Sequence, residues 1–233
     1  MVSTRNQNKQ GRASAHCKTR ASGVQKRCNK KTPTNQSNFY SDIANELRQN
    51  TSGHKLCQDE TNVVRKCLLC RYYLSSMQWG PLMEKFIKNK FNITKPLNST
   101  SGDGCSKRKK NIEIKVSLGT SHGSFNFVQI RPDHKIHYYL FLAYDLHVGK
   151  EGKVYWLLCK PQELYKLIPE YGGYAHGTVA KFGKISQRNL KGRNMEYALR
   201  PSPLAQKGSK PYKLWQIMLK KFQRTESAIM KAI

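Results

Sequence analysis

The sequence predicts an α+β fold, a central mixed β-sheet flanked by helices, preceded by a disordered basic arm. Three observations carry this expectation. Apolar residues recur at helical spacing before residue 92 and again over 213–233. Between them lie four apolar runs of strand length, at 112–116, 125–130, 138–146 and 154–159. Turn chemistry such as Arg131-Pro132-Asp133 and Val148-Gly149-Lys150-Glu151-Gly152 separates the later runs. Residues 1–37 hold nine Lys and Arg, no acid and almost nothing apolar, so they cannot build a core. The folded part is expected over 38–233.

Ser41 or Asp42 caps a first short helix through Leu47, and Gly53 ends it. A second helix starts near Asp59-Glu60-Thr61 and carries Val63, Val64, Cys67, Leu68, Cys70 and Leu74 at helical spacing. A third follows Trp79-Gly80-Pro81, because proline suits a first helical turn. It turns Leu82, Met83, Phe86, Ile87 and Phe91 to the core, and Glu84 on the same helix is placed to point toward a site instead of out to water. A polar loop over 95–104 leads to Asp103, and Lys107-Arg108-Lys109-Lys110 forms a hairpin tip before the first strand. After the strands, Pro161 starts a short helix through Ile168. Residues 172–178 read as a flexible loop; it lacks the Gly-Lys-Ser/Thr ending of a phosphate loop. The last helix, over 213–233, buries Leu214, Trp215, Ile217, Met218 and Phe222.

Charge narrows the function. The 233 residues carry a net charge of +28, which calls for an anionic partner, most commonly nucleic acid. No run of about eighteen apolar residues could span a bilayer, and no apolar signal segment opens the chain. Seven scattered cysteines argue against a disulfide framework and for a reducing, intracellular and cytoplasmic setting without a membrane. His54-x-x-Cys57 and Cys67-x-x-Cys70 have soft-ligand spacing for zinc, but small buried thiols on an amphipathic helix explain the second pair more simply.

With only fourteen acids in the chain, a carboxylate inside a strand needs a reason. Alternation puts Glu113 and Lys115 on one face of the first strand, and Ile112, Ile114 and Val116 on the other. An isolated Glu-x-Lys is usually a solvent-facing ion pair at a sheet edge. Here a Gly102-Asp103-Gly104 turn precedes it, and basic residues surround both. Two carboxylates that hold Mg²⁺, beside a lysine that serves the attacking water or the developing charge, make a phosphodiesterase site.

Trp79-Gly80-x-x-x-Glu84, then Gly102-Asp103-Gly104, then Glu113-x-Lys115, resembles the PD-(D/E)XK nuclease superfamily and, within it, type II restriction endonucleases. The stretches Phe125-Asn126-Phe127-Val128-Gln129-Ile130 and Tyr138-Tyr139-Leu140-Phe141-Leu142 are similar to the sheet of such enzymes, and the likeness covers about residues 76–220. It implies a restriction-endonuclease-like nuclease domain over 38–233, with a catalytic core at about 76–160 and a DNA-recognition part at about 161–212. It further implies that Asp103, Glu113 and the Ile114 carbonyl bind Mg²⁺, that Lys115 steadies the phosphorane, that Glu84 holds a water or second ion, and that Gln129 orients the lysine. Gly102 stands where the family has proline.

The substrate so implied is double-stranded DNA, cut by a homodimer and protected by a cognate DNA methyltransferase. Lys107, Arg108, Lys109 and Lys110 would follow a phosphate path, with Ser117, Asn126 and Arg131 beside the active strand. Downstream, Gln187, Arg188, Asn189, Arg193 and Asn194 are candidates for base contacts, and Lys181, Lys184 and Lys191 for phosphates. Two other readings stand behind this one. A basic nucleic-acid-binding protein without catalysis fits the charge but not the ordered acids. A histidine-based nuclease would have to use His134-x-x-His137, the one close histidine pair, without a supporting ligand framework.

Overall fold

The protein's computed structural model describes residues 53–175, 183–190 and 195–233. The arm, the helix expected at 42–47, and Lys181, Lys191, Arg193 and Asn194 lie outside them, as does the side chain of His54.

Three helices come first, α1 (Gly53–Asp59), α2 (Val63–Tyr73) and α3 (Ser76–Lys90). Gly53 therefore opens a helix instead of closing one. α2 starts later than expected because Asn62 caps it, its Oδ1 accepting from the Val64 and Arg65 amides at 2.9 and 3.2 Å. α3 starts before Pro81, with the Ser75 amide donating to Gln78 Oε1 at 3.0 Å. Trp79, Gly80 and Pro81 are thus inside the helix, which forgoes the bond that residue 81 would donate to Met77. Met83 and Ile87 are buried, as the spacing predicts, with Leu82 and Phe86 half-buried against the same core.

The strands are β1 (Gly104–Cys105), β2 (Asn111–Ser117), β3 (Phe127–Ile130), β4 (Tyr138–Asp145) and β5 (Lys153–Cys159). Then come α4 (Pro161–Tyr165), α5 (Ile168–Tyr171), β6 (Gly172–Tyr174), β7 (Tyr197–Leu199), α6 (Lys210–Phe222) and α7 (Glu226–Ala232). One sheet is mixed, in the order β1-β2-β4-β5, with β2 and β4 parallel and the outer pairs antiparallel. The helices flank it, as the α+β expectation requires. The 125–130 run does not join that sheet: β3 belongs to a second, antiparallel one in the order β3-β7-β6. Gly119, at φ +48°, turns the chain off the end of β2, and β3 finds its partner at Leu199.

β4 divides the interior. Leu140, Leu142 and Tyr144 face a core built with α2 and α3, while Tyr139, Phe141 and Ala143 face one shared with the second sheet and α6. All six are fully buried or nearly so.

Three further expectations need correcting. Residues 172–174 are strand β6, not loop. The helix after Pro161 is two short ones. The last helix breaks at 223–225, where Gln223 bridges Leu157 and the Arg224 amide donates to the Trp156 carbonyl at 3.0 Å. That pairing covers the exposed edge of β5. Thr225 then caps α7. Among the described residues no helix is long and apolar enough to cross a membrane.

Candidate active site

Asp103 reaches its position through the backbone. Gly102 sits at φ +76°, and a Cβ there would lie 2.7 Å from the Ile112 carbonyl oxygen. Proline, fixed near φ −65°, cannot take that conformation, so residue 102 calls for glycine. The Asp103 amide donates to the Ile112 carbonyl at 2.9 Å, and the Ile114 amide donates to Asp103 Oδ2 at 2.7 Å. The carboxylate is thereby docked on β2.

Glu113 and Lys115 share a face of β2, as the alternation predicts, opposite Tyr139 and Phe141 of β4. Lys115 Nζ lies 2.6 Å from Glu113 Oε1, with the two side chains 12% and 7% exposed. This is no edge pair in water, since β2 is flanked on both sides. Glu84 comes from α3, half-buried, with its Oε1 2.5 Å from Lys88 Nζ.

Glu84, Asp103, Ile114, Lys115, Asn126 and Gln129 line a cleft of about 580 Å³, whereas Glu113 is not in its lining. Ser117 is on it too, its hydroxyl accepting from the Asn126 amide at 2.9 Å. Burial, then the Glu113 charge, pushes the Asp103 carboxyl up to about 6, against the pull of Lys115 and the Ile114 amide; Glu84 adds to the rise. Gln129 occupies the far wall at φ +57°, in a bulge that sets three steps of β3 against two of β7. A non-glycine residue held there, at a cleft, carries local strain.

Two cleft residues had no signal in the sequence. Arg71, in the last turn of α2, donates through Nη1 to the Leu118 carbonyl at 2.6 Å and to that of Gly119. Ser76 lines the mouth because α3 begins earlier than Pro81 suggests.

Other candidates lie elsewhere. Lys107, Arg108 and Lys109 are exposed on the β1–β2 turn with Lys110, and none of the four lines the cleft. Arg131 is held by Glu196, whose Oε1 accepts from its Nε and Nη2 at 2.8 and 2.5 Å. Asn189 folds its own turn, accepting from the Ser186 amide and donating to the Lys184 carbonyl. Gln187 and Arg188 are exposed beside it. His137 Nδ1 accepts from the Asn111 amide at 2.9 Å, a structural bond between β2 and the turn before β4.

Among the described residues no group of three His, Cys, Asp or Glu side chains is placed to hold a metal ion. Mg²⁺ does not need three, since one or two carboxylates with waters and a substrate phosphate suffice. Asp103 and Glu113 fit that role: they are close enough for one charge to raise the other's pKa, and a divalent cation would relieve this. Cys57, Cys67 and Cys70 are completely buried in the first core as free thiols, and burial holds Cys67 above the usual thiol range.

Comparison of the chain with protein-family models, with curated proteins and with solved structures finds no match to any of them.

Proposed function

We propose that the protein is a Mg²⁺-dependent endonuclease of the PD-(D/E)XK kind, with a restriction-endonuclease-like core that hydrolyses phosphodiester bonds in double-stranded DNA. One observation supports this above the rest. Glu84, Asp103 and Lys115, from a helix, a turn and a strand, line one cleft in a chain of net charge +28, and the buried Glu113 pairs with Lys115 and raises the Asp103 pKa.

Asp103 and Glu113, with the Ile114 carbonyl, are the residues that would hold the ion. When bound, the ion supplies positive charge to a phosphate oxygen. Lys115 offers its ammonium, pinned by Glu113 in a place shielded from water, to the charge that builds on phosphorus. Glu84 offers a carboxylate oxygen to the incoming water. Hydrolysis forms a bond from the water oxygen to phosphorus and breaks one ester P–O bond, whose oxygen leaves with a proton. A two-fold dimer that cuts both strands of a palindrome, paired with a DNA methyltransferase, follows from the type II restriction reading.

The test is supercoiled plasmid incubated with wild-type protein in Mg²⁺, in EDTA, and with Glu113→Gln in Mg²⁺. Nicked or linear product is expected in the first alone. Plasmid left intact in all three, yet retarded on a gel, would favour a non-catalytic nucleic-acid-binding protein.

A further inference from the structure

A second groove, of about 440 Å³, runs beside the cleft and shares Glu84 with it as a common wall. Lys85 and Lys88 of α3 line it, with Lys95 from the segment that follows, and Asn89 and Thr94 add neutral polar groups. Glu84 is the one carboxylate in that lining, and Lys88 already engages its Oε1. Lys85 and Lys95 are exposed to solvent.

The segment carrying Lys95 is fastened to the active-site turn. The Ile93 amide donates to the Lys88 carbonyl at 2.8 Å. Thr94 and Cys105 exchange both backbone bonds, at 2.8 and 3.1 Å, and Thr94 Oγ1 adds a third to the Cys105 carbonyl at 3.0 Å. Cys105 lies two residues after Asp103. A Cβ on Gly104 would fall 2.5 Å from the Thr94 carbonyl oxygen and 3.7 Å from Lys88 Cε, so the lysine stem lies against the β1 backbone. The backbone that carries Lys88 and Lys95 is therefore tied to the turn bearing Asp103, whereas the basic turn at Lys107 to Lys110 borders neither groove.

We infer that this groove is a subsite for the nucleic-acid backbone, taking phosphates of the strand that passes Asp103 and Glu113. Cations spread along an open channel suit a polyanion, and lysine and asparagine side chains are ordinary phosphate donors. The choice of strand rests on the nuclease reading; the binding itself does not.

The test measures binding without metal, in EDTA, so that it is independent of cleavage. Fluorescence anisotropy with a labelled DNA duplex is followed over a range of salt for the wild type, for Lys85→Glu/Lys95→Glu, and for Lys220→Glu/Lys221→Glu on exposed α6. The groove variant is expected to bind at least tenfold more weakly, with a log–log salt slope shallower by roughly 1–2. The charge-matched control on α6 keeps the wild-type slope. Equal loss in both variants would show that binding follows net charge alone, and unchanged binding by the groove variant would show that phosphates pass elsewhere; either overturns the inference. A wild type that fails to cut DNA while the groove variant still loses binding would remove the nuclease reading and leave the subsite standing. Both substitution pairs lie on exposed side chains, and matching thermal melts confirm that each variant is folded.

Discussion

Lys115 and Glu113 sit two residues apart on β2 and form a contact of 2.6 Å out of water, next to Asp103. Removing the lysine strands two carboxylates, whereas removing Glu113 leaves the lysine with Asp103. Lys115→Met should therefore destabilise the fold by about 3–5 kcal/mol, and Glu113→Gln by clearly less. Both should abolish plasmid cleavage while DNA binding persists. Urea unfolding of the two variants and of the double variant gives the ranking. Equal costs would show that Asp103 does not share the lysine.

Asp103 makes stability and metal binding depend on pH in opposite directions. Between the ordinary carboxylate value of 3.8 and about 6, the folded chain keeps a proton that the unfolded chain has released. Metal-free stability is therefore highest below that window and falls as pH rises through it, at no more than about 1.4 kcal/mol per unit. Mg²⁺ needs the ionised carboxylate, so binding and cleavage should fail as pH drops through about 6. Asp103→Asn should melt higher than wild type at neutral pH without divalent ions and gain nothing from Mg²⁺. Scanning calorimetry from pH 3 to 8, with and without Mg²⁺, tests both halves.

Gln129 keeps a left-handed backbone at the far wall of the cleft, φ +57°, with its side chain exposed. Glycine there should relieve about 1 kcal/mol of strain while removing the amide from the cleft. Gln129→Gly is thus expected to raise the melting temperature and to slow cleavage together. A variant that is no more stable than wild type would mean that the bulge is unstrained.

Lys66 is buried on α2, and its Nζ donates to the carbonyls of Cys57, Gln58 and Glu60 at 2.7, 3.1 and 2.8 Å, over the Phe86 ring. It satisfies the open end of α1, so Lys66→Met should cost about 3 kcal/mol by leaving those carbonyls unpaired. Chemical denaturation would reveal this, and a change below about 0.5 kcal/mol, the range of ordinary surface substitutions, would contradict it.

Local pattern made part of this legible. Period-2 alternation put Glu113 and Lys115 on one face, and 3.6-residue spacing picked Met83 and Ile87 as the inner face of α3. Asp103 could be singled out because acids are scarce, and Gln129 only through the family resemblance. Long-range pairing was not legible. Nothing near residue 127 announces Leu199 as its partner, so β3 could not be assigned to a second sheet. Arg131 resembled a free cation only because Glu196, which holds it, is remote in sequence. Pro81 misplaced the start of α3, since a capping interaction at Ser75 and Gln78 overrode the usual preference for proline in the first turn.

The pairing of Phe127 with Leu199 also fixes an order of assembly. The first sheet closes over residues 104–159, so a growing chain can form the turn and strand bearing Asp103, Glu113 and Lys115 soon after residue 159 has been made. The opposite wall must wait until β7 is synthesised, because closing so long a loop is slow and needs the distant strand. On the ribosome, the acidic groups would therefore exist for a time without the surface that encloses them.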